Sequence, residues 1–198
     1  MASPLEVDLL VVGLGPAGAS AARTAAEGGL TVLAVDRRKE LGRPVQCAEL
    51  LPNPMLRHGT RPGVLVQKVA GMRTFLPSGH EEHTDFPALM IDRANLDRGL
   101  AEQAETAGAR VAAATRLMAF DAEAGWACLR GAEGEYEVRF RAAVGADGPH
   151  SMVARTLGLP QQKTVHTRQH TLPLRTDYAD TDIYLAPDFP GGYGWLFP

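Results

Sequence analysis

An α/β fold is predicted by three features packed into the first 36 residues. The unbroken apolar run Leu9-Leu10-Val11-Val12 is what a parallel strand buried on both faces requires. The glycine-rich turn Gly13-Leu14-Gly15-Pro16-Ala17-Gly18 follows, and Ala17 to Glu27 is alanine-rich, helix-favouring and stopped by Gly28-Gly29. Leu30 to Val35 reads as a second buried strand, ending at Asp36. Strand, turn, helix and strand within about thirty residues make a Rossmann-like βαβ unit.

The elements beyond it are read in order. Residues 37–88 carry Pro44, Pro52, Pro54, Pro62, Pro77 and Pro87 among scattered glycines, which predicts loops and short strands. Asp92 has the character of an N-cap, and Leu96, Leu100, Ala104 and Ala107 form the apolar stripe of a helix that Gly108 stops. A strand is predicted over Ala109 to Ala113. Trp126 to Leu129 and Tyr136 to Phe140 flank the turn Gly131-Ala132-Glu133-Gly134 as a hairpin. Ala142 to Gly145 reads as a further buried strand, and Ser151 as the cap of a short helix reaching Leu157. After Pro160 the texture changes, with strands expected at Tyr184-Leu185 and Tyr193 to Phe197.

Composition bounds the function. A chain with 45% hydrophobic and 22% charged residues has the apolar content of a globular core. Its net charge of −3 leaves no basic footprint for a nucleic-acid partner. Glu6 and Asp8 precede an apolar run too short for a signal core or a spanning helix, and no other run reaches that length. Cys47 and Cys128 show no CxxC spacing; His166 and His170 are expected on one strand face and His80 and His83 are three apart, but no carboxylate or cysteine cluster completes a metal site. A reduced, cytoplasmic protein without a metal site is the expectation.

The glycine turn carries the chemistry. Gly13 permits the tight turn, Gly15 lets backbone approach a pyrophosphate, and Gly18 lets helix and strand pack closely, with Pro16 and Ala17 opening the helix between them. The unpaired amides and positive end of that helix then face an anion. Asp36, about twenty residues on, is placed to accept hydrogen bonds from ribose hydroxyls. A carboxylate there repels a 2′-phosphate, so FAD or NAD is expected rather than NADP; the turn by itself does not choose between those two.

Other residues bear on that choice. Gly13 to Gly18 together with Gly145-Ala146-Asp147-Gly148-Pro149-His150-Ser151 resembles the two-part signature of a large flavoprotein family that includes aromatic hydroxylases and geranylgeranyl reductases. The segment Gly42-Arg43-Pro44-Val45-Gln46-Cys47-Ala48-Glu49 is similar to the Pro-x-x-Cys segment of the geranylgeranyl reductases, and Arg93 matches an arginine that they carry before the helix containing Asp97. Tyr193-Gly194-Trp195-Leu196-Phe197-Pro198 resembles their Tyr-x-Trp-x-Phe-Pro motif. These matches span almost the entire chain.

The resemblance implies FAD as cofactor, with NAD(P)H or another reductant as electron donor. It implies cofactor contacts from Gly13, Gly15, Pro16, Ala17, Gly18, Asp36, Arg37, Arg43, Cys47, Ala48, Arg93, Asp147 and Gly148. Cys47 is implied to lie near the flavin ring as the catalytic residue, where a thiol assists proton delivery to a reduced double bond. Tyr193, Trp195 and Phe197, on one side of a strand, are implied to line a prenyl-substrate cavity. Taken without the resemblance, Cys47 reads as a small buried hydrophobe, Arg43 and Arg93 as surface charges, and the aromatic strand as ordinary core.

The implied organisation is an FAD-binding domain over 1–158, with an irregular insertion at about 40–90, and the start of a truncated substrate-binding β domain over 159–198. The expected activity is FAD-dependent reduction of isoprenoid C=C bonds. A flavin monooxygenase or halogenase, a quinone-linked electron-transfer flavoprotein dehydrogenase, and an inactive FAD-binding fragment stand as alternatives. Family members continue to a Gly-Asp motif that contacts the flavin's ribityl and phosphate groups, and this sequence has no Gly-Asp dipeptide. The isolated chain is therefore expected to bind FAD weakly and turn over little. A second chain supplying the C-terminal half, and peripheral contact with a membrane through an isoprenoid substrate, are both left open.

Overall fold

The computed structural model describes residues 4–59 and 61–198. In chain order the elements are β1 (Leu5–Val12), α1 (Pro16–Glu27), β2 (Val32–Val35), β3 (Leu50–Pro52), a 3-10 turn (Asn53–Met55), α2 (Leu56–Gly59), β4 (Leu65–Phe75), β5 (Glu81–Ile91) and α3 (Arg93–Thr106). They continue with β6 (Arg110–Ala112), β7 (Arg116–Asp121), β8 (Trp126–Gly131), β9 (Gly134–Gly145), α4 (Met152–Thr156), β10 (Thr181–Tyr184) and β11 (Gly194–Leu196). Two compact units result: residues 1–44 with 97–163, and residues 45–96 with 164–198, the division falling inside α3 after Leu96.

The first unit is built on a six-stranded sheet in the order β6-β2-β1-β9-β8-β7. β6, β2, β1 and β9 are parallel, in the arrangement of a dinucleotide-binding half in which the order reverses between β1 and β9. β8 and β7 extend the sheet antiparallel. Leu10, Val12, Leu33, Val35, Leu129 and Val138 form its core, which explains the continuous apolar runs in β1 and β2. Pro16 opens α1 at a position where its missing N–H costs nothing, and the Gly28 N–H closes the helix on the Thr24 carbonyl.

The hairpin at Gly131 to Gly134 forms as expected, with Gly131 opposite Gly134. Its second arm and the strand expected over Ala142 to Gly145 are one twelve-residue strand, β9. The first part of β9 pairs with β8 and its later part with β1, so no turn is needed between them.

The second unit holds a five-stranded sheet in the order β11-β10-β4-β5-β3. The insertion is more regular than its prolines predict: β4 and β5 are eleven residues each and pair as a long antiparallel hairpin. Pro77 sits between the strands, and Pro87 falls at a register shift where Phe86 and Pro87 oppose Ala70 alone. A proline is tolerated at such a bulge because it owes the ladder no hydrogen bond there. The insertion also shares its sheet with residues beyond 163, since β10 pairs parallel with β4 over Thr181–Tyr184. The sequence division at 158/159 placed these two segments in different domains.

At the start of α3, Asp92 caps as expected, its Oδ1 accepting the Asn95 N–H at 2.8 Å. Leu96, Leu100 and Ala104 are buried along the helix, and Ala107 is half-buried. The stretch containing His166 and His170 is irregular, so these two do not share a strand face.

Candidate functional site

Two clusters contain the residues singled out by sequence, one in each unit. In the first unit, β1 ends at Val12 and the chain reverses at Gly13, whose φ of +100° is open to glycine. The Gly13 N–H donates to the Val35 carbonyl at 2.8 Å, fixing the turn to the end of β2. A β-carbon on Gly13 would lie 2.2 Å from the Ala146 carbonyl oxygen, and one on Gly18 would lie 1.8 Å from the Gly13 oxygen and 3.1 Å from Ala146 Cβ. The two signature segments, about 130 residues apart in sequence, are thus packed backbone to backbone. The Ala146 N–H closes this contact on the Val12 carbonyl at 2.7 Å.

Gly15 is different. It is the N-cap of α1, with an ordinary φ of −69° and no atom of the chain within 4 Å of where its side chain would be. No side chain caps α1, and no acidic residue lies in its first turn. The amides of Ala17 and Gly18, at first-turn positions without intrahelical partners, stand at the positive end of the helix beside the open face of Gly15. A pyrophosphate fits this cradle: it needs backbone donors, close approach and no competing carboxylate.

Asp36 braces the turn. Its Oδ2 accepts the Leu14 N–H at 2.9 Å, and its Oδ1 accepts the Arg38 N–H at 2.8 Å. Each oxygen keeps a lone pair for a further donor. Asp147 turns toward α4, where its carboxylate accepts the Ser151 hydroxyl and the Met152 N–H at 2.7 Å. Ser151 in turn accepts the Ala154 N–H at 2.9 Å, so this short helix is capped twice. What Asp147 offers the glycine turn is its backbone, because α4's first amides have claimed the side chain. Gly148 follows at a φ of +83°. Arg37 and Arg43 are on the surface, Arg43 paired with Glu40 at 3.0 Å.

In the second unit, Cys47, Ala48 and Arg93 come together around a residue that sequence reading left without a role, Glu49. Cys47 is half-buried, and its Sγ accepts the Glu49 N–H at 3.3 Å. The Glu49 carboxylate accepts the Arg93 N–H at 3.1 Å, and its carbonyl accepts the Ile91 N–H at 2.9 Å. Beside them a cavity of ≈ 400 Å³ is lined by Ala48, Glu49, Met90, Ile91, Trp195 and Phe197, among others. Phe197 also packs on Val69, Ala88 and Met90. Tyr193 does not line this cavity: it is exposed and meets Trp195 edge-on, 6.1 Å between ring centres. β11 spans only Gly194–Leu196, so of the three aromatics Trp195 alone lies within the strand, with Tyr193 just before it and Phe197 just after it. The loop from Gln169 to Leu172, which carries no sequence motif, supplies another wall.

A polar cluster joins two strands of the same sheet. Asp182 on β10 is buried, and Arg73 on β4 grips it through two hydrogen bonds of 2.9 Å. The Tyr178 hydroxyl joins both, and the Arg73 guanidinium lies over the Phe75 and Tyr178 rings. Burial pushes the Asp182 carboxyl up, but the hydrogen bonds from Arg73 and Tyr178 together bring it below the usual carboxylate range. Burial, with Asp182 adding to it, pushes the Tyr178 hydroxyl up to about 12. Among the described residues no cluster of histidine, cysteine and carboxylate has the geometry of a metal site.

Comparison with known proteins gives the chain a family. A family model described as an FAD binding domain matches residues 6–189. The chain belongs to the FAD-binding domain family. Among relatives of this FAD-binding domain, digeranylgeranylglycerophospholipid reductase 1 of Methanopyrus kandleri is 35% identical over 206 residues, which cover 98% of the chain and 55% of that protein. An uncharacterized protein in the nifH2 5′ region of Methanosarcina barkeri is 36% identical, covering 77% of the chain and 88% of its own length. A geranylgeranyl bacteriochlorophyll reductase-like crystal structure from Thermoplasma acidophilum superposes with a TM-score of 0.83 at 29% identity, covering 99% of the chain and 54% of its own. The chain thus spans about half the length of the reductases that it matches.

Proposed function

We propose that this chain is the FAD-binding portion of a reductase that saturates isoprenoid C=C bonds, the activity named for its digeranylgeranylglycerophospholipid reductase relatives. One observation carries the reading: an aromatic-walled cavity lies directly beside the Cys47-Ala48-Glu49 loop. Trp195, Phe197, Met90, Ile91 and Leu172 give that cavity apolar wall for a long apolar chain, while Glu49, Asp92 and His170 line it with polar groups. In this reading the glycine turn, Asp36 and the Ala146–Gly148 backbone hold the cofactor's phosphates and ribose, while Arg37, Arg43 and Arg93 add positive charge. When bound and reduced, FAD supplies the hydride. Trp195 and Phe197 hold the prenyl chain and exclude water, and Cys47 Sγ–H delivers the proton to the alkene carbon that receives no hydride.

The proposed electron donor is NAD(P)H or another reductant. The proposed setting is cytoplasmic with peripheral contact to a membrane, where isoprenoid lipids reside. Among the described residues no helix is long and apolar enough to cross a membrane.

The test uses the protein with FAD, a chemical reductant and a geranylgeranylated lipid, with the region carried by its longer relatives supplied in the same reaction. Mass spectrometry should show the gain of two hydrogens per double bond. Trp195→Ala should raise KM and leave FAD affinity within about twofold, since Trp195 belongs to the unit without the glycine turn. An oxygenated or halogenated product with no saturated lipid would overturn the proposal.

A further inference from the structure

Glu49 occupies a backbone conformation that its residue type disfavours. Its φ is +63°, in the left-handed region, and only Ala114 shares such a value among the described non-glycine residues. Left-handed geometry in a residue with a β-carbon costs free energy, so it persists only where several contacts over-determine it. Here the contacts are identifiable. The Glu49 carbonyl is tied to the Ile91 N–H at the end of β5, and its carboxylate is tied to the Arg93 N–H at the start of α3. With both ends held, the remaining backbone group, its N–H, is aimed at Cys47 Sγ. Glu49 also lines the cavity with its neighbour Ala48.

We infer that Glu49 is a positioning residue: it fixes the Cys47 thiol by holding a left-handed backbone conformation tied to the end of β5 and the start of α3. The inference rests on the reading of Cys47 as the proton donor, but the device itself is a property of the loop and can be tested apart from turnover. In a right-handed or extended conformation the peptide before Glu49 rotates, and the N–H no longer points at the sulfur. The carboxylate's tie to Arg93 is what makes glutamate preferable here to glycine, which adopts the same φ without strain but anchors nothing.

Three substitutions separate backbone from side chain, each made with Cys128→Ser so that Cys47 is the single thiol. Glu49→Gln keeps an acceptor for the Arg93 N–H. Glu49→Gly frees φ and loses the anchor. Glu49→Val loses the anchor and adds β-branching, which the left-handed region excludes most strongly. The readout is the second-order rate of Cys47 alkylation by iodoacetamide on folded protein, with melting temperature as a control for folding. The expected order places Gln within about twofold of the parent, Gly intermediate, and Val changed by about fivefold or more. In the reductase assay kcat should follow the same order, with KM for the lipid changing less.

Equal alkylation rates for parent, Gly and Val, all of them folded, would overturn the inference. Should Val fail to fold, a Gly rate indistinguishable from both parent and Gln has the same consequence. Absence of lipid reduction by the parent protein would count against the proposed activity, while the alkylation series would still decide whether Glu49 sets the thiol.

Discussion

Replacing Gly18 by alanine tests whether close helix-to-strand packing or mere glycine flexibility makes the cofactor cradle. Gly18 has no unusual φ, so a flexibility argument predicts a mild or stabilising effect, as for most Gly→Ala changes inside helices. The packing argument predicts the reverse. The new methyl would be placed 1.8 Å from the Gly13 carbonyl oxygen, which belongs to the turn itself, and 3.1 Å from Ala146 Cβ at the exit of β9. To reach ordinary contact, α1 must retreat by on the order of 1 Å, because backbone cannot swing aside as a flexible side chain does. Overpacking of this kind costs roughly 1–3 kcal/mol. For a domain of this size that is a fall in Tm of roughly 2–12 °C.

The same retreat moves the amides of Ala17 and Gly18 away from the phosphates, so FAD affinity should fall by about tenfold or more, or about 1.4 kcal/mol. Gly15→Ala is the matched control. Nothing in the protein lies within 4 Å of its β-carbon, so Tm should change by no more than about 1 kcal/mol of capping preference allows. Its methyl would nevertheless stand where the pyrophosphate must approach, and FAD affinity should again fall about tenfold. Flavin fluorescence titration and thermal melts on the same preparations give both numbers. A Gly18→Ala protein that melts and binds FAD as the parent does, or a Gly15→Ala protein with parental affinity, would refute the reasoning.

Two further outcomes follow from side chains already placed. Asp182→Asn strips the charge from the group that Arg73 grips with two hydrogen bonds, and should cost about 1–3 kcal/mol at neutral pH by urea melts. Because the folded-state Asp182 carboxyl titrates below its unfolded value, its contribution is present above the unfolded carboxylate pKa of about 3.9. That contribution is lost as pH falls through the folded value, so parent and variant should converge in acid; a constant difference from neutral pH down to about 3 would contradict this sign. Asp147→Ala removes acceptors from the Ser151 hydroxyl and the Met152 N–H, and should cost about 1–2 kcal/mol while weakening FAD binding less than Gly18→Ala does.

Legibility in the sequence tracked how local the governing physics is. Val12, Gly13, Gly18 and Asp36 were readable because a buried strand, a tight turn and a helix start each leave a mark within a few residues. The β4–β5 hairpin was read as loops because Pro77 and Pro87 are breakers in isolation, and the bulge that accommodates Pro87 is a relation between two strands. The grip of Arg73 on Asp182 spans 109 residues and belongs to no motif. Glu49 lay inside a segment whose resemblance was noted, yet a left-handed φ in a glutamate leaves no compositional trace. Tyr193 shows the converse, since alternation was extended on both sides of the three-residue strand β11, and beyond it Phe197 lines the cavity while Tyr193 does not.

The long strand β9 has a consequence for when the cradle comes into being. β1 pairs on one side with β2, made shortly after it, and on the other with the later part of β9, made only after the whole intervening chain. Gly13 is seated on Ala146, the residue that leaves β9. On a ribosome adding about 5–20 residues per second, the glycine turn is therefore synthesised within seconds but stays unfinished until the far end of β9 emerges. Until then β1 presents one unpaired edge, and the pairing that covers it is of high contact order, the kind that forms slowly. The first motif of the sequence is completed among the last, and cofactor capture during synthesis waits on the arrival of Ala146.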